Sequence, residues 1–283
     1  MIKNSQVSPQ STVSLGHAAW KDVSLLGAVL LSLALTAPTA TAANLDLNGW
    51  IGFGGGAWTI THGGTSATQT VNGDPTGFVS ADNYLNTEFN GKFVVQTTDD
   101  DDFIGFVFGY NSPLAGDGNN DFDFLLFDWK QAAQVASGYA ADRGFNLSRV
   151  QGTITDYDPG FWGHTDDPGT FDVLDTLYSG EGGYGWADNV EYDFTLRYEA
   201  DRITIDINNQ PVFDVTGSFP AGRFGFYSYS QQDVRFHSFT ATQILPASAI
   251  VPEPGTLALL ALAAPALLLV GRKRGAERRG RRQ

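Results

Sequence analysis

The chain has 283 residues, 17 Lys and Arg against 31 Asp and Glu, a net charge of −14 and no cysteine. The acidic balance excludes nucleic-acid binding, because neutralising phosphates takes clustered Lys and Arg. Zero cysteine excludes disulfides, thiolate metal sites and cysteine nucleophiles, while 33 glycines, 13% aromatic and 17% charged residues describe a turn-rich β protein rather than a helical bundle.

Residues 1–42 read as an export signal. Lys3 and Lys21 are the only basic residues of a polar leader, and the apolar run Val23–Leu35 follows. Pro38 and the small tripeptide Ala40-Thr41-Ala42 close the segment, as signal peptidase requires. Thirteen apolar or small residues are too few to span a bilayer, which needs about 20. A buried core helix is the alternative reading.

Residues 43–247 hold eight basic and 28 acidic residues, a net charge of −20 that the whole-chain figure hides. This length suits a single β-sandwich. Strand patterns run over 91–96, 103–110, 122–129, 190–198, 202–208, 212–215, 222–228 and 234–243. The cleanest alternation puts Ile203, Ile205 and Ile207 on one face, against Arg202, Thr204, Asp206 and Asn208 on the other. Asn208-Asn209-Gln210 predicts a hairpin turn into Pro211-Val212-Phe213. Many short strands with Gly, Asn and Asp turns predict an all-β fold, a two-sheet sandwich or jelly roll.

Two carboxylate clusters stand out. Asp99-Asp100-Asp101-Asp102 precedes the apolar strand at 103, and Asp117, Asn119, Asp121 and Asp123 place oxygens at every second position. Calcium takes six to eight oxygens at about 2.3–2.6 Å, and crowded carboxylates repel unless a cation neutralises them. The second cluster resembles the start of an EF-hand loop but lacks its glycine at the sixth position and its flanking helices. Asp74, beside Pro75, is a third candidate ligand. Solvated loop tips are the plainer reading of both clusters.

Trp162, Tyr178, Tyr184 and Trp186 lie in Gly-rich, loop-like sequence. Such rings either stack on sugar faces, beside polar groups that bind hydroxyls, or plug the open ends of the sandwich. His164, with Asp166 and Asp167 close by, is a candidate metal or acid–base residue, or else part of a turn that buries Trp162. The expected ligand-binding set is Trp162, His164, Tyr184 and Trp186.

Enzyme signals are weak. A retaining glycosidase needs two carboxyls about 5–5.5 Å apart. The nearest strand pattern is Asp121-Phe122-Asp123, with Leu125 where a third acid would complete it. No Gly-x-Ser-x-Gly elbow or phosphate loop is present, so the chain is expected to be non-catalytic.

The C-terminal segment, 248–283, contains Pro252-Glu253-Pro254, the apolar run Leu257–Val270 and seven Arg and Lys between Arg272 and Arg282. By the positive-inside rule this puts the basic end in the cytoplasm and everything before residue 251 across the membrane. Fourteen strictly apolar residues are marginal for a span, and Gly255, Thr256 and Gly271 bring the stretch near the lower limit of about 17. A simple tail anchor is the plainer reading. The tripartite tail resembles the PEP-CTERM sorting signal of Gram-negative bacteria, and the resemblance implies an exosortase partner, processing near Pro252-Glu253-Pro254 and an exopolysaccharide or biofilm-matrix setting.

The body resembles the globular C-terminal domain of thrombospondins. The matching stretches are Gln69–Pro75, Phe89–Phe93, Thr97–Tyr110, Phe127–Gln131 and Gly222–Gln231, in order across nearly the whole body. The resemblance implies a jelly-roll β-sandwich of the legume-lectin (concanavalin-like) type, associated with calcium and cell adhesion. The upstream calcium repeats and EGF-like modules of thrombospondins have no counterpart here.

The expected whole is therefore an exported surface or matrix module, calcium-bound through Asp74, Asp100, Asp101, Asp102, Asp117, Asn119, Asp121 and Asp123. Its expected ligand is a glycan or matrix polysaccharide, and its tail is a membrane helix. The competing expectations are a polysaccharide-active enzyme and a structural matrix protein with no ligand.

Overall fold

The structure, a computed structural model, describes residues 40–112 and 121–245. The export-signal run Val23–Leu35, Asp117, Asn119, Pro252-Glu253-Pro254 and the apolar C-terminal run lie outside the described residues. Among the described residues no helix is long and apolar enough to cross a membrane.

The strands, in chain order, are β1 (Ala43–Asn44), β2 (Ile51–Gly54), β3 (Trp58–Thr61), β4 (Ser66–Gln69), β5 (Thr76–Tyr84), β6 (Thr87–Val95), β7 (Phe103–Tyr110), β8 (Asp121–Lys130), β9 (Gln134–Ala136), β10 (Tyr139–Ala141), β11 (Gly144–Thr153), β12 (Phe171–Tyr178), β13 (Glu191–Tyr198), β14 (Arg202–Ile207), β15 (Gln210–Thr216), β16 (Gly222–Tyr229) and β17 (Val234–Gln243). The first sheet runs β15-β14-β13-β6-β17-β4-β3, with β1 also on β17. The second runs β12-β11-β8-β7-β16-β5-β2, and β9 and β10 form a separate hairpin. All pairings are antiparallel. The late strands β16 and β17 sit inside the two sheets, between strands from the first half of the chain, so the sandwich closes only when the chain ends meet.

The first sheet follows the period of two. In β14 Ile203, Ile205 and Ile207 are fully buried while the residues between them are not. In β6 Phe89, Gly91, Phe93 and Val95 point inward. The Asn208–Asn209 turn joins β14 to β15 with φ of 49° and 61°, the left-handed pair of a type I′ hairpin, which Asn tolerates.

The second sheet departs from simple alternation, because its central strands are buried on both faces. All eight residues of β7 are buried. Ile104, Phe106, Phe108, Phe127, Trp129, Phe224 and Phe226 face the first sheet in the main core. Phe103, Val107, Tyr110, Phe124, Leu126, Tyr227 and Tyr229 face outward into a second cluster with Phe161, Trp162 and Phe171. The π-helical turn Asp158–Trp162 supplies two of those rings. Gly109, at φ 58°, allows the irregularity that turns Tyr110 to the outer face.

Candidate metal centre

One end of the sandwich, where β7 begins and β8 ends, collects acidic groups. The antiparallel register sets Phe103 opposite Lys130, so Lys130 stands beside the chain that leads into β7. Backbone bonds draw four loops together there. Ser230 N donates to Gly73 O at 2.8 Å, Gln96 N to Asp233 O at 2.8 Å, and Gln131 N to Asp101 O at 3.2 Å. Asp102 N donates to Gln231 Oε1 at 3.0 Å, and Trp186 Nε1 to Asp102 O at 3.0 Å. The loop is thus fixed from three directions, and it holds Asp100, Asp101 and Asp102 with one carboxylate oxygen from each inside a 4.8 Å set.

The surroundings refine this cluster. Lys130 Nζ, fully buried, bonds Asp102 Oδ1 directly, lies 3.1 Å from Gln134 Oε1 and 3.5 Å from Asp101 Oδ1, and sits over the rings of Phe103 and Trp162. Asn72 Nδ2 donates to Asp100 Oδ2, and Ser230 Oγ lies 3.3 Å from Asn72 Oδ1. Burial pushes the Asp102 carboxyl up, against the pull of Lys130 and a bond from Ser230, with the Asp100 charge adding to the rise. Tyr229 is also raised, by burial first and then by Asp158, Asp74 and Asp102; its hydroxyl lies 3.2 Å from Asp158 Oδ1. Burial and the Asp74 charge raise Tyr157 as well. Asp74 and Asp158 therefore add to the same field as the three-aspartate set.

The donor set is all oxygen, the three carboxylates of Asp100, Asp101 and Asp102. One buried ammonium offsets only part of their charge. Hard oxygen donors in excess negative charge fit calcium, which completes its shell with water and backbone carbonyls. They do not fit zinc, whose protein sites favour His and Cys nitrogen and sulfur.

The other sequence candidates separate in space. Asp121 and Asp123 begin β8, whereas Lys130 ends it. At about 3.3 Å per residue Asp121 and Asp123 lie at the far end of the strand from Lys130 and its aspartates, and cannot share an ion with them. Asp121 bonds Thr153 Oγ1, and the Asp123 backbone is engaged by Ser112 and Asn111.

The aromatic loop candidates are corrected by burial. Trp162 and Trp186 are 4% and 2% exposed, so neither presents a ring face to solvent. Trp162 packs edge-on against Phe103 and Tyr229, and Trp186 belongs to the main core. Tyr184 is half-buried, edge-on to Trp129 and Phe145. His164 is also inside: its Nε2 lies 3.0 Å from Asp128 Oδ2 and its Nδ1 3.1 Å from Tyr178 Oη. The turn that buries Trp162 and ties down His164 is what forms. The rings divide between two cores: Trp186 and Tyr184 go to the main core between the sheets, and Trp162 to the second cluster behind the second sheet.

Sequence reading missed Asn72, Lys130, Asp158, Ser230 and Gln231. Four of them lie inside stretches that carry the family resemblance, which was the available signal; Asp158 had none.

The profile described as Thrombospondin C-terminal region matches residues 55–243. The chain belongs to this family. Relatives include chicken (Gallus gallus) Thrombospondin-2, 30% identical over 199 residues that are 63% of this chain and 16% of that protein. Xenopus laevis Thrombospondin-1 is 31% identical over 205 residues with the same coverages, and Bos taurus Thrombospondin-4 is 28% identical over 196 residues, 62% of this chain and 19% of that protein. The chain thus spans less than a fifth of the length of these relatives. Among solved structures, the carbohydrate binding module CBM66 from Bacillus subtilis aligns at TM-score 0.46 and 13% identity, covering 69% of this chain and 95% of that one. The VIP36 exoplasmic/lumenal domain in its Ca2+/Man-bound form aligns at 0.46 and 14%, covering 70% and 84%.

Proposed function

We propose that this member of the thrombospondin C-terminal region family is an exported, non-catalytic binding module of the cell surface or matrix, stabilised by calcium at Asp100, Asp101 and Asp102, with a polysaccharide as its ligand. The observation that carries the reading is the fixed three-aspartate set beside a single buried lysine. Asp74, whose charge acts on Tyr229 together with that of Asp102, is the next candidate donor, and Asn72 steadies Asp100 by donating to it. Calcium supplies charge neutralisation there and ties the 70–75 and 97–102 loops to one another. Membership of a family named for thrombospondins supports an extracellular setting and matrix contacts. The leader and tail patterns support export, exosortase processing at Pro252-Glu253-Pro254 and a membrane helix up to that processing.

Catalysis is disfavoured by the same site. A glycosidase pairs one carboxyl of raised pKa with an ionised one, and Asp102 beside Asp100 superficially matches. Yet Asp102 is 3% exposed and Lys130 bonds its Oδ1, so it stands too deep for a sugar ring to reach, whereas a small ion needs only its other oxygen. Incubating the full chain with a polysaccharide panel tests the reading. The expected result is calcium-dependent retention on at least one polymer with no release of reducing ends. Reducing ends released by the chain and lost in Asp102→Asn would replace binding with hydrolysis. Mass spectrometry of the native protein checks the tail, with cleavage near Glu253 expected and an intact basic end the contrary result.

A further inference from the structure

We propose that the outer face of the first sheet binds a neutral polysaccharide, in a cleft of about 320 Å³ over β6 and β13. The inference rests on the binding-module reading and adds the place and chemistry of the ligand, at a site separate from the aspartates. With the aromatic loops turned inward, this face is where polar side chains converge in ordered rows. Register places Asp193 beside Lys92 and Lys92 beside His237, with Asp206, Thr195 and Asn90 as the neighbouring row. Two backbone irregularities add Asn209 and Ser238 to the lining. Asn209 is the second residue of the left-handed hairpin turn, and Ser238, at φ 61°, sits in the register shift of β17 between His237 and Thr240.

The side chains hold one another in place. Lys92 Nζ lies 2.9 Å from Glu191 Oε1 and 3.0 Å from Asp193 Oδ1, and His237 Nε2 lies 2.8 Å from Glu191 Oε2. Thr195 Oγ1 donates to Asn90 Oδ1 at 2.8 Å, and Asn90 Nδ2 to Glu88 Oε1 at 3.2 Å. These contacts use only part of each group's capacity, since a carboxylate offers about four acceptor sites and an ammonium three protons. The Asn209 amide makes no hydrogen bond among the described residues. Preorganised groups that still donate and accept match sugar hydroxyls, which also do both, with little side-chain entropy left to lose. Charge selects against a polyanion: the ammonium in the cleft is already paired, and residues 43–247 carry −20 overall. The cleft volume falls at the low end of small-molecule sites, about 300–1,000 Å³, as suits a short stretch of a longer polymer.

Affinity electrophoresis of the full chain, in calcium, through gels holding dextran, mannan or laminarin tests this, with alginate as the anionic comparison. At least one neutral polymer should retard the chain. The double change Asn90→Ala and Asn209→Gly, the second of which suits the left-handed turn, should weaken that retardation about tenfold, the size of two lost hydrogen bonds, in a chain whose folding is checked by its melting. Asp193→Asn, which keeps the side-chain shape, should weaken it as well and decides the matter if the double variant does not fold. Unchanged retardation in the folded variants would overturn this site and leave the binding-module reading standing. Retardation by alginate alone would overturn the neutral-ligand chemistry. No retardation in any gel would overturn both.

Discussion

Lys130 shows how much one buried charge can organise. Its ammonium is enclosed by Asp102, Asp101, Gln134 and two aromatic faces. Removing it leaves Asp102 as an uncompensated buried charge, so Lys130→Ala should cost about 3–5 kcal/mol in urea unfolding. The carboxylates also set a pH dependence. Burial raises Asp102, and burial raises Asp128 against its bond to His164 and the nearby charge of Lys130. A carboxyl raised in the folded state contributes stability that is complete below its unfolded value, about 3.9, and is lost as pH rises through the folded value. In chelator, the wild type should therefore gain stability relative to Asp102→Asn as the pH falls from about 7 toward about 4. Urea midpoints at each pH measure the gap. A gap that stays constant, or shifts toward the variant on acidification, would contradict the burial effect. Calcium should act in the opposite sense, stabilising more as the pH rises, because it binds the ionised carboxylates.

At the scale of elements, β7 and β8 depend on a close backbone approach at Gly105. A methyl there would run into the Phe127 carbonyl of the paired strand. Gly105→Ala should part the two central strands of the second sheet and sharply reduce the yield of folded chain, whereas Gly138→Ala, in open space at the β9–β10 turn, should be strained only by its φ of 88°. Circular dichroism and melting of the two variants distinguish these outcomes. Strands with one buried face were legible in the sequence: Ile203, Ile205 and Ile207 predict β14, and the two-asparagine turn follows it as expected. The apolar strands 103–110 and 234–243 also form at those bounds. The first five strands and β9–β12 were not legible. Several are only two to four residues long, and β11 and β12 mix charges such as Arg149, Asp172 and Asp175 into a half-covered edge. The same cause hid the fate of Trp162 and Trp186. Sequence marks a ring in a Gly-rich loop, but which side of the sheet that loop covers is a tertiary fact. The aspartate run was legible as a cluster, whereas its partners Asn72, Lys130 and Gln231 are 28 to 129 residues away from it in the chain.

At the scale of the whole molecule, an acidic body without cysteines must hold its loops by packing, by hydrogen bonds and, in this account, by an ion. The two faces and the end then divide the work. The second sheet is covered on both sides, the first keeps a polar outer face, which we propose takes the ligand, and the end gathers carboxylates, the proposed calcium site. The melting temperature of the full chain, in chelator and through a calcium titration, reads out the proposed ion at Asp100, Asp101 and Asp102. A ligand that binds only the folded state adds about 2.7 kcal/mol at a hundredfold excess over its Kd, so a saturable rise is expected. The rise should vanish in the double variant Asp100→Asn, Asp101→Asn. No rise at saturating calcium, or an equal rise in that variant, would contradict a calcium site at these aspartates.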